Sequence, residues 1–186
     1  MNEQTSPIRQ KLLDVAEDLA LRKGFWSTSF ADICQKAGIN RGNFYYYFKT
    51  KEALLNAVIE RRLEIVAVNL AAIEKDRGDP RQRVLGYIDN LKNKADVYSR
   101  FGCPVGSLVV ELAKRSPAHV PTLARAFDRT IDWLEAQFVH FASGPRDKAM
   151  HVHQVFQGAI VQAAAWKSSA PLELARRHLS GWVSSL

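Results

Sequence analysis

The chain has 186 residues, enough for one domain or two small ones and for a hydrophobic core that needs no disulfide or metal. Hydrophobic residues make up 47% and charged residues 24%, which excludes a disordered or fibrous chain, and no apolar run approaches the length of a membrane span. Lysine and arginine outnumber aspartate and glutamate by 26 to 19, a basic balance that favours a polyanion such as DNA as a partner. The first residues lack the apolar segment of a signal peptide, so we expect a cytoplasmic protein.

Apolar residues recur at helical spacing along the whole chain, and no stretch alternates as a strand would. The sequence therefore predicts an all-α protein of about nine helices. Ser6 is expected to cap the first helix, with Pro7 at its first position, and Gly24 to end it.

Two short helices follow. The second starts after Thr28, where Ser29 and Asp32 have the spacing of a capping box, and ends at Gly38. The third is predicted over residues 41–48, after an asparagine cap. Two short helices joined by a tight turn describe a helix-turn-helix, whose second helix lies in the major groove of DNA.

The remaining helices form the larger part of the chain. We expect a DNA-binding domain over residues 1–50 and a helical ligand-binding and dimerisation domain over 51–186. The further predicted helices span about 51–75, 81–98, 104–115, 121–141, 147–167 and 172–183.

Positive charge and aromatic rings concentrate in the predicted helix-turn-helix. Residues 36–51 contain four cations and no acid, and three consecutive tyrosines, Tyr45 to Tyr47, lie among them. Their rings and hydroxyls suit sugars, thymine methyls and phosphates. Phe44 and Phe48 are expected in the core, and at least one of the tyrosines is expected to pack inward.

The helix-turn-helix and its flanks carry a specific set of residues between positions 8 and 55. They are Gly24, Thr28, Ser29, Asp32, Ile33, the run Ala37 to Tyr45, Phe48, Lys51, Glu52, Leu54 and Leu55. At more than a dozen positions, without a gap, this set resembles the TetR family of bacterial transcriptional regulators. A stretch near the C-terminus, Phe156 to Ala163, also resembles a pattern of that family.

The resemblance implies roles position by position. The Thr28 hydroxyl would meet a phosphate, and Lys51, at a helix N-terminus, would anchor another. Arg41 and Asn43 would contact base edges, since Arg pairs with guanine and Asn with adenine, although a phosphate contact is the alternative for Arg41. The full predicted set of DNA contacts is Thr28, Asn40, Arg41, Gly42, Asn43, Tyr45, Tyr46 and Lys51.

The last two predicted helices carry an additional apolar face. Pairing with a second copy would form a four-helix bundle, which is the homodimer that the resemblance implies, and the dimer would bind a near-palindromic operator in double-stranded DNA. The alternative is that these faces only close the protomer core. The predicted interface residues are Val155, Ala159, Ala163, Leu172, Leu179 and Trp182.

The resemblance also implies a pocket for a small-molecule effector, which the sequence does not identify. Residues of these types are more often core than ligand contacts, so a core position is the alternative for each candidate. The candidates are Tyr87, Leu91, Tyr98, Phe101, Cys103, Leu108, Phe127, Trp133 and Phe156.

Cys103 is the most distinctive residue of the second half. Pro104 at a first helical position makes Cys103 an N-cap, where the helix dipole favours a thiolate. The segment Gly102 to Leu108 resembles one in a TetR subgroup that includes sensors of electrophiles and unsaturated carboxylates. Cys103 is then a structural cap or a sensor thiol, and Cys34 is expected to be inert core.

We therefore expect a repressor that leaves its operator when a ligand or an electrophile acts on the C-terminal domain. The alternative is a ligand- or protein-binding module that has lost sequence-specific DNA recognition. An enzyme is not expected, because no nucleophile–base pair or phosphate-binding glycine loop is present, and neither a cofactor nor a metal is predicted.

Overall fold

A computed structural model describes residues 6–186, and every regular element in that range is helical. The start of the chain, where the sequence predicts no signal peptide, lies outside these residues. The α-helices are α1 (Pro7–Lys23), α2 (Phe30–Ala37), α3 (Arg41–Tyr47), α4 (Lys51–Asp76), α5 (Pro80–Asn93), α6 (Ala95–Phe101), α7 (Pro104–Arg115), α8 (Val120–Phe138), α9 (Pro145–Trp166) and α10 (Ala170–Ser185).

The all-α prediction is confirmed. Helices α5 and α6 are separated by Lys94 alone, and counted as one interrupted helix they bring the number of α-helices in residues 6–186 to nine. A single turn of 3-10 helix, Pro117–His119, precedes α8. Within the same range no helix combines the length and the apolar character that crossing a bilayer requires.

The N-cap of α1 differs from its prediction in one respect. Ser6 occupies the N-cap position before Pro7, but its side chain makes no capping hydrogen bond. Its Oγ lies 2.7 Å from the hydroxyl of Tyr47 at the end of α3. The prediction that a tyrosine packs inward is therefore met by Tyr47, which is half-buried.

The chain forms two compact units. The first comprises the described residues up to Leu63 together with Ser107–Leu123, and the second comprises Glu64–Gly106 and Ala124–Leu186. The predicted division at residue 50 concerns function and stays a prediction. The compact units are divided differently, because a segment of α7 and the start of α8 belong with the N-terminal helices.

Aromatic rings fill the core between α2 and α3 in the first unit. Phe44 and Phe48 are completely or almost completely buried, as expected, and their ring centroids are 5.8 Å apart. Phe30 packs on Phe44 at 4.5 Å. These contacts fix the inner face of α3, so the opposite face is turned to solvent.

The second unit has a core of its own, to which α4, α5, α6, α8, α9 and α10 contribute. Leu70, Val84, Leu134, Phe156 and Leu179 are among its buried residues. Large aliphatic and aromatic side chains from six helices make this a continuous apolar interior.

Candidate functional site

Capping residues fix both the start of α2 and the turn that joins it to α3. The Oγ of Ser29 accepts from the amide of Asp32, and the Asp32 carboxylate accepts from the amide of Ser29, so the predicted capping box is present. Gly38 has φ +64°, a left-handed conformation that ends α2, and the amide of Ile39 donates to the carbonyl of Cys34 at 3.0 Å. The predicted helix-turn-helix is therefore formed.

Helix α3 presents a polar and aromatic face to solvent. Asn40 caps it by accepting from the amide of Asn43 at 2.8 Å. Tyr45 is 49% exposed and Tyr46 63% exposed, and Arg41, Gly42 and Asn43 are exposed as well. We call Arg41, Asn43, Tyr45 and Tyr46 the recognition face.

An open concavity of about 420 Å³ lies beside this face, within the first unit. Its polar lining consists of Ser29, Arg41, Tyr45 and Lys51, and its floor is apolar, with the buried Cys34. Two cations and two hydroxyls around one depression are the groups that contact a nucleic-acid backbone.

Lys51 bridges the start of α4 and the segment between α1 and α2. Its ammonium donates to the carbonyls of Trp26, at 3.2 Å, and of Thr28, and it lies over the rings of Phe25 and Trp26 at 5.3 and 5.7 Å. Burial lowers the pKa of Lys51, and the nearby Glu111 carboxylate opposes that shift. The Lys51 ammonium, which the sequence analysis assigned to a phosphate, thus makes hydrogen bonds that stabilise the fold.

Thr28 is placed differently from its predicted role. The residue is only 2% exposed, and its hydroxyl donates to the carbonyl of Gly24 at 2.9 Å. In this conformation the hydroxyl is buried and its hydrogen is already donated, so the phosphate contact stays a prediction. Thr28 therefore supports the turn after α1.

Sequence reasoning missed Glu111. Its carboxylate accepts from the amides of Phe25 and Trp26 at 2.9 and 2.8 Å. Gly24, with φ +89°, lies directly beside it: a Cβ on Gly24 would be 3.2 Å from a carboxylate oxygen. No local pattern marks Glu111, since its partners are more than eighty residues away in sequence.

Four of the candidate effector residues lie together in the core of the second unit. Tyr87 stacks on Phe156 with ring centroids 4.7 Å apart, Tyr98 meets the same ring edge-on at 6.0 Å, and Trp133 is 6.3 Å from Tyr87. Leu91 and Cys103 pack in or against the same core.

The other candidates are placed elsewhere. Leu108 belongs to the first unit and is not part of this cluster. Phe101 is half-buried at the end of α6, under the guanidinium of Arg100 at 5.2 Å. Phe127 packs instead on His153, a buried histidine that the sequence analysis did not single out.

Cys103 precedes α7 as expected. Its Sγ accepts from the amide of Gly106 at 3.4 Å, which is a capping hydrogen bond at the start of the helix. The thiol is half-buried, whereas Cys34 is buried and burial raises the pKa of its thiol. The capping role of Cys103 is therefore formed, and a sensing role stays a prediction.

The predicted dimer face requires correction. Ala159, Ala163, Leu172 and Leu179 are buried inside the protomer, because they pack into the core of the second unit. Val155 and Trp182 are half-buried against the same core.

The exposed faces of α9 and α10 carry other residues. We call this surface the outer face; Val161 on α9 is 68% exposed and Leu174 on α10 is 46% exposed. A Cβ at either Gly158 or Gly181 would meet nothing within 4 Å. The outer face consists of Gly158, Val161, Gln162, Ala165, Leu174, His178 and Gly181.

A helix-turn-helix with an exposed basic and aromatic recognition helix, followed by a helical second unit, defines a DNA-binding protein of the helix-turn-helix class. The family model for bacterial regulatory proteins of the tetR family matches residues 12–58, and the LmrA/YxaF-like transcriptional regulator C-terminal domain matches residues 80–178. The chain belongs to the TetR family.

Relatives match the chain over its full length. The HTH-type transcriptional repressor NemR of Escherichia coli is 26% identical over 199 aligned residues, which cover 100% of this chain and 98% of NemR. The crystal structure of reduced E. coli NemR superposes with a TM-score of 0.81 at 25% identity, covering 94% of this chain and 96% of that one. A TetR-family regulator from Agrobacterium tumefaciens, 22% identical, shares the fold with a TM-score of 0.83 over 97% of this chain and 98% of its own.

Proposed function

We propose that this protein is a transcriptional repressor that binds a near-palindromic operator as a homodimer and leaves it when a small molecule acts on the second unit. The observation that carries the proposal is the recognition face of α3, which is exposed while Phe44 and Phe48 fix the other side of the helix. NemR, a relative whose alignment spans the whole chain, is described as a transcriptional repressor.

Two of the cations near this face are available for DNA. Arg41 and Lys49 are exposed and have no ion-pair partner among residues 6–186, whereas Lys36 pairs with Asp18. Arg41 and Asn43 lie in the first turn of α3, where a recognition helix meets base edges, and Tyr45 and Tyr46 are placed for backbone contacts. The cap of α3 uses the backbone amide of Asn43, so the side-chain amide of Asn43 takes no part in it.

The proposal is tested by selecting binding sites from a random duplex pool at near-physiological salt. A single near-palindrome with two half-sites is expected, and a steep dependence of affinity on salt would report the phosphate contacts. Retention of DNA without a consensus, or no retention, would contradict the proposal and favour the ligand- or protein-binding module.

Arg41→Lys separates the two roles of Arg41. Lysine keeps the charge but loses the planar fork that pairs with guanine. If Arg41 reads a base, the selected consensus relaxes at one position in each half-site and the salt dependence stays unchanged. An unchanged consensus would assign Arg41 to a phosphate.

Release from DNA is proposed to follow a shift between two dimer states. An effector favours release only if it binds the state with wrongly spaced recognition helices more tightly than the operator-bound state. The aromatic cluster around Phe156 and the half-buried Cys103 are the proposed points of action. A reduced form of NemR has been crystallised, which makes a thiol-dependent state worth testing in this chain too.

A further inference from the structure

His153 on α9 is buried with an unused hydrogen-bonding nitrogen. The residue is 7% exposed, and its Nε2 has no hydrogen-bond partner among residues 6–186. The other nitrogen, Nδ1, lies 3.4 Å from the hydroxyl of Tyr87 on α5. One side of the ring therefore faces a partner, and the other faces apolar surroundings.

The second unit contains little other buried polarity. Apart from the phenols of Tyr87 and Tyr98, its other buried polar side chains are those of Thr130 and Gln137, which donate to the carbonyls of Ala126 and Trp133 on their own helix. Neither of these side chains is ionisable. In this unit, the Nε2 of His153 is the buried side-chain nitrogen that lacks a hydrogen-bond partner. A buried polar atom without a partner lowers the stability of the protein unless a ligand or a water bonds to it.

The proton arrangement of this pair follows from burial. Desolvation lowers the pKa of His153 to about 4, so its ring is neutral at pH 7, and burial raises the pKa of Tyr87, so its phenol keeps its proton. The Tyr87 hydroxyl needs an acceptor, and Nδ1 is the one within reach among the described residues. Nδ1 therefore accepts, and Nε2 carries the hydrogen and is a donor without an acceptor.

Aromatic rings surround this donor and its partner. Phe127 meets the His153 ring at 5.1 Å, and Tyr87 is stacked on Phe156 at 4.7 Å. Rings in such arrangements pack well against flat unsaturated groups. Because none of the buried polar side chains of this unit is charged at pH 7, a charged ligand would lose its hydration without compensation.

We propose that the second unit binds an uncharged, flat, unsaturated molecule bearing a hydrogen-bond acceptor such as a carbonyl oxygen, and that Nε2 of His153 donates to this acceptor. The inference rests on the proposed function, because it names the class of effector that would act on this unit. Tyr87 is a positioning residue, since it fixes the tautomer through Nδ1.

Three small aromatic probes test the proposal by calorimetry or ligand-observed NMR. Acetophenone offers a carbonyl acceptor, ethylbenzene has nearly the same shape without one, and benzoate carries a charge. Acetophenone is expected to bind about tenfold more tightly than ethylbenzene, the effect of one buried hydrogen bond, and benzoate more weakly than either. Equal binding of acetophenone and ethylbenzene, or tighter binding of benzoate, would overturn the proposal, as would no binding of any probe.

Two variants of His153 make the assignment specific. His153→Gln retains a donor and is expected to keep the preference for acetophenone, whereas His153→Leu is expected to lose it. If the leucine variant does not fold, the ¹⁵N shifts of the wild-type imidazole decide: a protonated Nε2 supports the proposal, and a protonated Nδ1 overturns it.

Operator binding on the same preparations separates this inference from the proposed function. Sequence-specific DNA binding with no acceptor preference would overturn the effector class alone. An acceptor preference without sequence-specific DNA binding would overturn the repressor function and leave the ligand site standing.

Discussion

The carboxylate of Glu111 on α7 accepts a hydrogen bond from the backbone amide of Phe25, 86 positions earlier in the chain. The same carboxylate accepts from the next amide, that of Trp26. A single charged side chain therefore satisfies two consecutive amides that follow α1, in the segment that leads into the helix-turn-helix.

Replacing this carboxylate should loosen the turn. Glu111→Gln keeps the size of the side chain but leaves one acceptor oxygen for two amides, so we expect a loss of about 1–3 kcal/mol in the free energy of unfolding and weaker operator binding. Urea denaturation and a DNA titration measure the two effects. Glu60→Gln removes the same charge at an exposed position of the same unit and should change neither; equal behaviour of the two variants would show that the Glu111 bonds contribute nothing.

Lys51→Met tests whether one ammonium has both a structural and a DNA-binding role. The variant loses the hydrogen bonds to the carbonyls of Trp26 and Thr28, so we expect it to be about 1–2 kcal/mol less stable. If the third ammonium hydrogen meets a phosphate, the slope of log affinity against log salt also decreases by about 1. A stability loss with an unchanged slope would leave Lys51 as a purely structural residue.

Lys49→Met is the matched control for the stability measurement alone, because Lys49 is itself a proposed DNA contact. Lys49 is exposed, two residues before Lys51, and has no ion-pair partner among the described residues. Its replacement should leave the stability of the protein unchanged.

The sequence predicted the helix-turn-helix well because its determinants are local. Ser29 with Asp32, Gly38 and Asn40 each act within a few residues, and all three features are present. The hydrogen bonds that Thr28 and Lys51 make within the protein were not predictable, since they depend on carbonyls presented by the folded turn. Glu111 was missed for the same reason.

The dimer face shows a second kind of limit. Helical spacing identifies an apolar stripe but does not say whether a partner or the protomer's own core covers it. Ala159 and Leu179 belong to a stripe that faces the core, while Val161 and Leu174 on the same two helices face outward. Only the packing of the neighbouring helices distinguishes the two faces.

Val161→Lys should weaken the dimer if the outer face is the dimer interface. A lysine in the centre of an apolar symmetric contact is desolvated twice, once in each copy, so the dimer dissociation constant should rise at least about tenfold. Sedimentation velocity across a concentration series measures it. Val139→Lys, at a similarly exposed valine just after α8, is the control, and a dimer equally strong in both variants would place the interface elsewhere.

Cys103→Ser separates the cap from the thiol. Serine is a good N-cap residue, so the variant should keep the stability of α7 while losing the nucleophilic sulfur. If Cys103 senses electrophiles, N-ethylmaleimide releases the wild-type protein from its operator and leaves the variant bound. Cys34→Ser should respond as the wild type does, because Cys34 is buried; wild-type protein that is labelled at Cys103 and still binds DNA would make the residue purely structural.

The buried imidazole of His153 should make stability depend on pH. Its folded pKa is about 4, below the usual 6.5, so the unfolded chain binds the proton first as pH falls. Stability is therefore retained above pH 6.5 and is lost between pH 6.5 and about 4, by about 3 kcal/mol at most.

His153→Leu should remove this dependence. The comparison with wild type isolates it, because Glu17, whose pKa is raised by burial, contributes with the opposite sign in both proteins. Denaturation curves at pH 7, 6 and 5 measure the difference between the two proteins, and a constant difference over that range would contradict the prediction.

Because Ser107–Leu123 belongs to the same compact unit as the N-terminal helices, the DNA-binding unit is discontinuous in sequence. A chimera made with a single splice after residue 58, where the family model ends, would lack part of this unit. Such a graft would leave Glu111 behind and transfer the amides of Phe25 and Trp26 without the carboxylate that accepts their hydrogen bonds. Transplanting this unit whole requires two inserts and three crossovers, and the second insert carries the carboxylate of Glu111.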